Sequence, residues 1–153
     1  MGEYKIVISG PMGSGKTTAL TAVSEIPPVT TDVDNNQRDQ ADKATTTVAM
    51  DYGEVRLGDE GVLRLYGTPG QERFDFMRAI LARGALGIVL LVDAQRPAPE
   101  DDLQAFVSGF GLGRQPMPFV VGVTKSDLCK DIDALVTRLH DRLERIGAPA
   151  PCI

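Results

Sequence analysis

The segment "GPMGSGKT", Gly10 to Thr17, constrains the fold more than any other feature of the 153-residue sequence. It has the pattern G-x-x-x-x-G-K-T and follows the apolar run "YKIVIS". It also opens the segment "GKTTALTAVSEI", which predicts a helix ended by Pro27 and Pro28. In such a strand, turn and helix, backbone N–H groups and the positive end of the helix dipole converge on one point. The segment therefore predicts a loop that binds a chain of phosphates; the alternative is a glycine-rich turn that binds nothing.

Side chains of this loop have separate expected roles. The Lys16 ammonium supplies a point charge to the terminal phosphates, and the Thr17 hydroxyl is a hard oxygen ligand suited to Mg²⁺. Met12 is expected near the terminal phosphate, where its side chain would crowd an arginine entering from a partner. The predicted nucleotide-binding residues of the loop are Gly13, Ser14, Gly15, Lys16, Thr17 and Thr18.

Strand-like and helical segments alternate along the remaining sequence. "ALGIVLLVD" and "PFVVGVT" are continuous apolar runs that predict strands buried on both faces. Helices are predicted for "QERFDFMRAILARG", "APEDDLQAFVSGFG" and "DIDALVTRLHDRLERIG". "TTTVAMDYGEVRL" and "VLRLYG" flank "GDEG" and predict an antiparallel hairpin with Gly58 and Gly61 at the turn. The alternation predicts an α/β layered domain with a mainly parallel sheet and one antiparallel edge strand.

Two other segments have weaker patterns. Pro27 to Ala44 has neither helical nor alternating periodicity and is interpreted as a long polar loop. "APAPCI" is at most the opening of a final strand. In the last predicted helix, an apolar stripe that would face the core is formed by Ile132, Leu135, Val136, Leu139, Leu143 and Ile146.

Composition limits the class of protein. With 42% hydrophobic and 24% charged residues, positions 1–153 are interpreted as a single globular domain. The net charge of -5 argues against a mainly electrostatic partnership with nucleic acid or an anionic membrane. No stretch of the sequence approaches the length of a membrane span. Cys129 and Cys152 lack metal-ligand spacing, so we expect a reducing compartment, the cytoplasm.

The base of the nucleotide is expected to be read by "TKSD", Thr124 to Asp127, at the end of a predicted strand. With this element the sequence resembles the Ras-like small GTPase superfamily, whose base-reading motif is N-K-x-D. The resemblance implies that Asp127 accepts hydrogen bonds from guanine and that the Lys125 stem packs over the base. Thr124 replaces the asparagine, which leaves a hydroxyl capable of tying the base loop to the phosphate loop. Without the resemblance, "TKSD" is equally well a solvated helix-capping turn.

Two further segments resemble the switch regions of the same superfamily, and the resemblance implies a three-layer P-loop NTPase fold. "TVAMDY" implies that Thr47 closes over Mg²⁺ and the terminal phosphate, although its neighbour Thr46 has the same chemistry. "TPGQERF" implies that the Gly70 N–H contacts the γ-phosphate and that Gln71 orients the attacking water. Gln71 and Lys16 are therefore the expected catalytic residues.

Position 67 departs from the pattern of the superfamily. Most of its members have an aspartate there that holds a water on Mg²⁺, whereas this chain has Gly67. Losing such a carboxylate is expected to weaken metal binding by about 10- to 100-fold unless another group compensates. Asp51, on the neighbouring strand of the predicted hairpin, is the candidate third metal residue beside Thr17 and Thr47, and it is expected to approach Mg²⁺ through a water when a nucleoside triphosphate is bound. The alternative is that Asp51 is a solvent-facing residue of an edge strand.

Within the superfamily, the "PGQ" turn and the "MDYG" strand most resemble the bacterial MglA-type small GTPases, over Tyr4 to about Ile153. This resemblance implies a regulatory partner of the roadblock/LC7 type and a role in polarity, motility or related signalling. The base-sandwiching loop of the superfamily would lie beyond Ile153. The chain is therefore either truncated or closes its base pocket differently.

Together these features predict a GTP-binding switch that hydrolyses GTP slowly to GDP and is timed by partner proteins. Arg38, in the first switch loop, either acts in cis on the transferring phosphoryl group or is a solvated loop charge. A nucleotide-binding scaffold with little or no hydrolysis is the main alternative, suggested by Met12, Gly67 and Thr124 together. A small P-loop kinase is a further alternative, but the sequence has no arginine-rich lid segment.

Overall fold

The structure is a computed structural model that describes residues 2–34, 47–68, 80–114 and 117–153. Within these residues the chain forms strands, helices and two short 3₁₀ turns. The strands are β1 (Gly2–Ser9), β2 (Val29–Asp34), β3 (Thr47–Arg56), β4 (Gly61–Gly67), β5 (Gly87–Asp93) and β6 (Phe119–Thr124). The helices are α1 (Lys16–Val23), α2 (Pro99–Phe110) and α3 (Ile132–Arg145), and the 3₁₀ turns are Gly58–Glu60 and Ser126–Leu128. None of the helices in these ranges is long and apolar enough to cross a membrane.

The six strands form one sheet in the order β2-β3-β4-β1-β5-β6. The neighbours β4, β1, β5 and β6 run parallel, and β3 runs antiparallel to both β2 and β4. The predicted α/β class with a mainly parallel sheet is therefore confirmed, as is the hairpin between β3 and β4 with Gly58 and Gly61 at its turn.

One detail of the predicted sheet was wrong. The antiparallel strand β3 is not at the edge, because Val29–Asp34, which was expected to belong to a polar loop, forms β2 outside it. The segment "VTTDVD" is rich in β-branched residues, which favour an extended backbone, and it pairs with β3 from Val29 opposite Tyr52 to Asp34 opposite Thr47. Hydrogen bonding to β3 thus makes a strand of a segment whose apolar residues alternate too little to predict a strand.

The core lies on both faces of the sheet, which gives the predicted three layers. Successive residues of a strand point to opposite faces, and Val7 and Ile8 of β1 accordingly belong to different apolar clusters. Val7 lies in the cluster with α2 and α3, and Ile8 lies in the cluster with Leu20 of α1. The stripe predicted for α3 is confirmed, since three of its leucines are at most 1% exposed: Leu135, Leu139 and Leu143.

The chain ends beside β6. The Ile153 N–H donates to the Val121 carbonyl and the Val123 N–H donates to the Ile153 carbonyl, both at 2.8 Å. Cys152 forms a parallel bridge with Val121, so the predicted opening of a final strand is confirmed. Because β1, β5 and β6 run parallel, their carboxyl ends meet at one edge of the sheet. Ligands bind at this edge in open α/β sheets.

Candidate nucleotide-binding site

The loop between β1 and α1 has a backbone that requires glycine. Gly10 has φ 153°, and a Cβ added to it would lie 2.5 Å from the Leu91 carbonyl oxygen and 2.7 Å from Ser14 Oγ. Gly15 has φ 95° and is the N-cap residue immediately before α1. A side chain at either position would be strained, and one at Gly10 would also collide with β5. The glycines of the pattern therefore let the loop close tightly against the carboxyl end of the neighbouring strand.

A cavity of about 260 Å³ opens at this loop and is lined by five of its predicted phosphate-binding residues: Gly13, Gly15, Lys16, Thr17 and Thr18. The Lys16 ammonium donates to the carbonyls of Gly10 and Pro11, each at 2.8 Å. Its side chain therefore folds back over the loop and places the positive charge beside the cavity. The cavity, the glycine backbone and the lysine fit a chain of phosphates.

Ser14 differs from the other residues of the loop. Its side chain is fully buried, and its hydroxyl has no hydrogen-bond partner among the residues that the structure describes. A buried hydroxyl without a partner costs about 1–3 kcal/mol. Since that hydroxyl faces Gly10 inside the loop, only the backbone of Ser14 is placed to contact phosphate.

Asp51 lies where a carboxylate could compensate for the aspartate that is absent at position 67. It is paired directly with Gly67 across β3 and β4, and its Oδ2 accepts a hydrogen bond from the Thr17 hydroxyl. A Cβ added to Gly67 would lie 3.2 Å from the Asp51 Cβ and 3.7 Å from its Oδ2. The Asp51 carboxylate therefore occupies the side of β4 that an aspartate at position 67 would use.

The donor set at this point suits a hard cation. The Thr17 hydroxyl and the Asp51 carboxylate are oxygen ligands of the kind that Mg²⁺ prefers. In the described part of the chain, no group of three or more histidine, cysteine, aspartate and glutamate side chains is placed to hold a metal by itself. One hydroxyl and one carboxylate fit the usual protein share of a Mg²⁺ site whose other ligands are substrate phosphates and water.

The predicted base loop lies next to the phosphate loop. Thr124 ends β6, and its methyl carbon is 3.9 Å from the position that a Cβ on Gly15 would take. Its hydroxyl donates to the Val92 carbonyl of β5 at 3.2 Å, so the hydrogen bond that it donates goes to β5 and not to the phosphate loop. The strand neighbour offers a carbonyl acceptor within reach, whereas the methyl is the part of Thr124 that faces Gly15.

Lys125 and Asp127 follow Thr124 at the surface. Lys125 adopts the left-handed conformation with φ 57° and ψ 30°, and its ammonium pairs with Asp93 Oδ2 at 2.7 Å. Asp127 is exposed in the 3₁₀ turn that begins at Ser126. The structure thus brings the predicted base-reading pair to the same sheet edge as the phosphate loop.

Asp93 is a residue of this edge that the sequence did not single out. It ends β5 and is only 4% exposed. Burial alone would raise the pKa of its carboxyl, but hydrogen bonds from Lys125 and from the Gln95 N–H, with the charge of Lys125, hold that pKa below its ordinary value. The available signal was an aspartate that ends the apolar run "GIVLLVD", because a charge there needs a partner.

A second pair that the sequence did not single out joins β1 to β4. The hydroxyls of Ser9 and Thr68 are 2.6 Å apart, and both residues are buried. The Thr68 N–H also donates to the Ile8 carbonyl at 2.9 Å. These bonds fix the end of β4 beside the start of the phosphate loop.

Several predicted site residues lie outside the described residues: Arg38, Gly70, Gln71 and the side chain of Thr47. Met12, in contrast, is described, and its side chain is 61% exposed in the phosphate loop. Its expected place near the terminal phosphate and its effect on an incoming arginine stay predictions.

One family model matches most of the chain. It is described as "Conserved hypothetical ATP binding protein" and spans residues 28–147. The chain belongs to this family. The matched range of this ATP-binding family includes the base loop but begins after Gly10–Thr17, so the phosphate loop is evidence for nucleotide binding in addition to the family match.

Individual relatives include Ras-related proteins. The Ras-related protein Rab-7b of Paramecium octaurelia is 32% identical over 130 residues, which are 81% of this chain and 58% of that protein. The Ras-related protein RABA6b of Arabidopsis thaliana is 32% identical over 127 residues, which are 82% of this chain and 51% of that protein. The chain thus spans about half the length of these relatives. They support the Ras-like small GTPase superfamily that the motifs predicted.

An archaeal relative matches over a greater share of its length. It is an uncharacterized protein of Methanocaldococcus jannaschii, 28% identical over 134 residues, which are 86% of this chain and 75% of that protein. A further relative, 29% identical over 132 residues, is named GTP-binding protein ypt4 of Schizosaccharomyces pombe, so its name and the description of the ATP-binding family agree on nucleotide binding and differ in the base.

Proposed function

We propose that the chain is a GTP-binding molecular switch that hydrolyses GTP slowly to GDP. The observation that carries this proposal is the placement of the phosphate loop Gly10–Thr17 and the base loop Thr124–Asp127 side by side, with Thr124 against Gly15. A nucleotide bound along this edge would reach both loops at once. The choice of guanine rests on the resemblance of "TKSD" to the base-reading motif, in which Asp127 accepts from the base.

The phosphate end has the groups that a switch of this kind requires. Backbone N–H groups from Gly13 to Thr18 would hold the phosphates, and Lys16 would neutralise their charge. Mg²⁺, when bound, would supply positive charge that neutralises the charge developing on the phosphates. Thr17 and Asp51 would hold it from the protein side, and Thr47 would add a hydroxyl when the first switch closes. The Gly70 N–H and the Gln71 side chain would position the terminal phosphate and the attacking water.

Slow turnover and partner control belong to the same proposal. An arginine that neutralises the transferring phosphoryl group accelerates hydrolysis by about 10³- to 10⁵-fold. The exposed Met12 side chain would obstruct an arginine supplied by a partner, and Arg38 is the candidate in the chain itself. The resemblance to the MglA-type branch suggests a cytoplasmic switch in bacterial polarity, motility or related regulation, with a roadblock/LC7-type partner.

A nucleotide-binding scaffold with little or no hydrolysis is the second candidate. The observation that favours it is the exposure of Met12 in the phosphate loop, at 61%. Such a scaffold would bind GTP and GDP through the same residues but would not be reset by hydrolysis. Both candidates share the site, and they differ only in turnover.

A nucleotide titration with single-turnover kinetics tests the proposal. GTP and GDP should bind in a low-salt buffer that contains Mg²⁺, and GTP should bind more weakly when the metal is chelated. Lys16→Met should abolish binding, because it removes the charge beside the phosphates. Lys130→Met is the matched control, since Lys130 is an exposed lysine outside the site and its loss should leave affinity unchanged.

Phosphate release from bound GTP then separates the two candidates. Slow release that depends on Gln71 supports the switch, and release indistinguishable from the spontaneous reaction supports the scaffold. If Lys16→Met binds GTP as tightly as the unchanged chain, the site is not the phosphate loop and both candidates are wrong.

A further inference from the structure

The segment that follows β5 holds the base loop at two points. The Ala94 N–H donates to the Thr124 carbonyl at 3.0 Å, and the Gln95 side chain donates to the Leu128 carbonyl at 2.9 Å. These two bonds lie at the beginning and at the end of the base loop. Because both come from adjacent residues of one segment, the position of the loop depends on how rigidly that segment is fixed.

Asp93 fixes both the segment and the loop. Its Oδ1 accepts from the Gln95 N–H at 2.8 Å, and its Oδ2 accepts from the Lys125 ammonium at 2.7 Å. The residue is 4% exposed, so its two oxygens are held by these bonds rather than by bulk water. A buried carboxylate is tolerated only when it is paired and hydrogen-bonded, and here Lys125 supplies the opposite charge.

Lys125 needs such a partner because its backbone is unfavourable. Its φ is 57°, and it is the one non-glycine residue with positive φ among those that the structure describes. Residues with a side chain avoid this region, and they stay there only where their surroundings hold them. The ion pair with Asp93 is the side-chain contact that holds Lys125 in this conformation.

The pair also determines which part of Lys125 can meet a ligand. Its ammonium is already bound to Asp93, so a base in the loop would contact the aliphatic stem instead of a free charge. The lysine side chain is 42% exposed, whereas that of Asp93 is 6% exposed. The exposed stem is therefore available to a flat apolar surface such as the face of a purine.

We infer that Asp93 is a positioning residue for recognition of the guanine base, acting through Lys125. It holds the Lys125 ammonium away from the ligand, lays the stem along the base, and fixes the turn that presents Asp127. This inference rests on the proposed function, since it assigns a role in the same site. Asp93 does not itself touch the nucleotide.

Equilibrium binding of GDP and IDP to the unchanged chain and to Asp93→Asn tests the inference. IDP lacks the 2-amino group that would donate a hydrogen bond to the Asp127 carboxylate, so the ratio of the two dissociation constants reports how well the turn is placed. Asparagine keeps the shape and one acceptor but removes the charge. GDP affinity should fall by about 10-fold, as for the loss of one charge-assisted hydrogen bond, and the preference for GDP over IDP should shrink.

A double-mutant cycle distinguishes positioning from a general loss of stability. Lys125→Met keeps an aliphatic stem and removes the ammonium, and it should weaken GDP binding to a similar extent. If Asp93 acts through Lys125, the double variant should bind about as well as either single variant, because contacting residues are not additive. If the two substitutions acted independently, their fold-losses of GDP affinity would instead multiply in the double variant.

Asp102→Asn is the matched control. Asp102 is also an ion-paired carboxylate, bound to Arg96 at 2.5 Å, and among the described residues its carboxylate bonds Arg96 rather than the base loop. It should leave GDP affinity and the GDP to IDP ratio unchanged. Circular dichroism and thermal unfolding of each variant establish that the compared proteins are folded.

Three results would overturn the inference. They are an unchanged GDP to IDP ratio in Asp93→Asn, multiplicative effects in the cycle, and a ratio that shifts equally in Asp102→Asn. If Asp93→Asn does not fold, Lys125→Met must still show the reduced ratio, and its side chain, at 42% exposed, is far less buried than that of Asp93. If the unchanged chain does not prefer GDP over ADP, the proposed function fails in the wild-type measurement, before any variant is compared.

Discussion

Moving the carboxylate from Asp51 to position 67 would test whether this side chain replaces the missing aspartate. Gly67→Asp alone places a second carboxylate opposite the first, since a Cβ at position 67 lies 3.7 Å from Asp51 Oδ2. Two like charges roughly 4 Å apart repel by about 4 kcal/mol at an effective dielectric constant of about 20. Solvent at this partly exposed site reduces the net cost to about 1–3 kcal/mol. Gly67→Asp should therefore lower the melting temperature by roughly 3–10 °C.

Asp51→Gly removes the carboxylate that faces Thr17. Loss of a group that orients a metal through water weakens binding by about 10- to 100-fold, so Mg²⁺-dependent GTP affinity should fall by that amount. The exchanged pair, Asp51→Gly with Gly67→Asp, restores one carboxylate and removes the repulsion. It should recover most of the affinity. Glu54→Gly is the control, because Glu54 bonds Tyr52 on the opposite face of the same strand.

The assay is GTP binding at a series of Mg²⁺ concentrations, followed by thermal unfolding of each variant without nucleotide. The two readouts separate metal binding from folding. If Gly67→Asp alone tightens Mg²⁺-dependent binding, the position lacked a carboxylate and Asp51 does not replace it. If the exchanged pair binds as weakly as Asp51→Gly although it is folded, the site depends on something other than one carboxylate between these two strands.

Three further predictions concern stability. Gly53→Ala should destabilise the fold by about 1–3 kcal/mol, because its Cβ would lie 2.9 Å from Leu20 Cδ2, and chemical denaturation measures the change. Leu139→Ala should cost about 2–5 kcal/mol in the same assay, since Leu139 is 0% exposed in the core. Folding lowers the pKa of the Asp93 carboxyl below its ordinary value of 3.8. Its pairing with Lys125 should therefore stabilise the fold fully above pH 3.8, and this stabilisation should be lost as the pH falls through the lower pKa of the folded state. Asp93→Asn should abolish this pH-dependent part of the unfolding free energy, which is measured between about pH 5 and pH 2.

The layered fold could be predicted because its signals are local. The apolar run "GIVLLVD" is buried on both faces, and continuous hydrophobicity is sufficient to predict such a strand. The run "FVVGVT" also forms a strand, but the prediction that it is buried on both faces was wrong, because only Val121 is buried and β6 lies at the end of the strand order. β2 could not be predicted in the same way. Its residues Val29–Asp34 are held by pairing with β3, a contact between segments that are separated along the chain.

In the candidate site, too, the features that are local in the sequence could be predicted and the contacts between distant segments could not. The phosphate loop Gly10–Thr17 could be predicted because its chemistry is contained in eight consecutive residues. The position of Asp51 opposite Gly67 followed from the predicted hairpin, because a hairpin fixes which residues face each other. The pairing of Asp93 with Lys125 joins the ends of two parallel strands, and no turn or spacing in the sequence specifies that contact.

Base choice tests the central claim most directly. The family description names ATP, whereas one relative is named a GTP-binding protein and the resemblance of "TKSD" to the base-reading motif favours GTP. Competition between GDP and ADP for the unchanged chain, with Mg²⁺ present, measures that choice at equilibrium. A site that hydrogen-bonds guanine through Asp127 should prefer GDP by at least about 100-fold, since adenine cannot satisfy the same acceptor. Equal affinity for the two nucleotides, or tighter binding of ADP, would contradict the account.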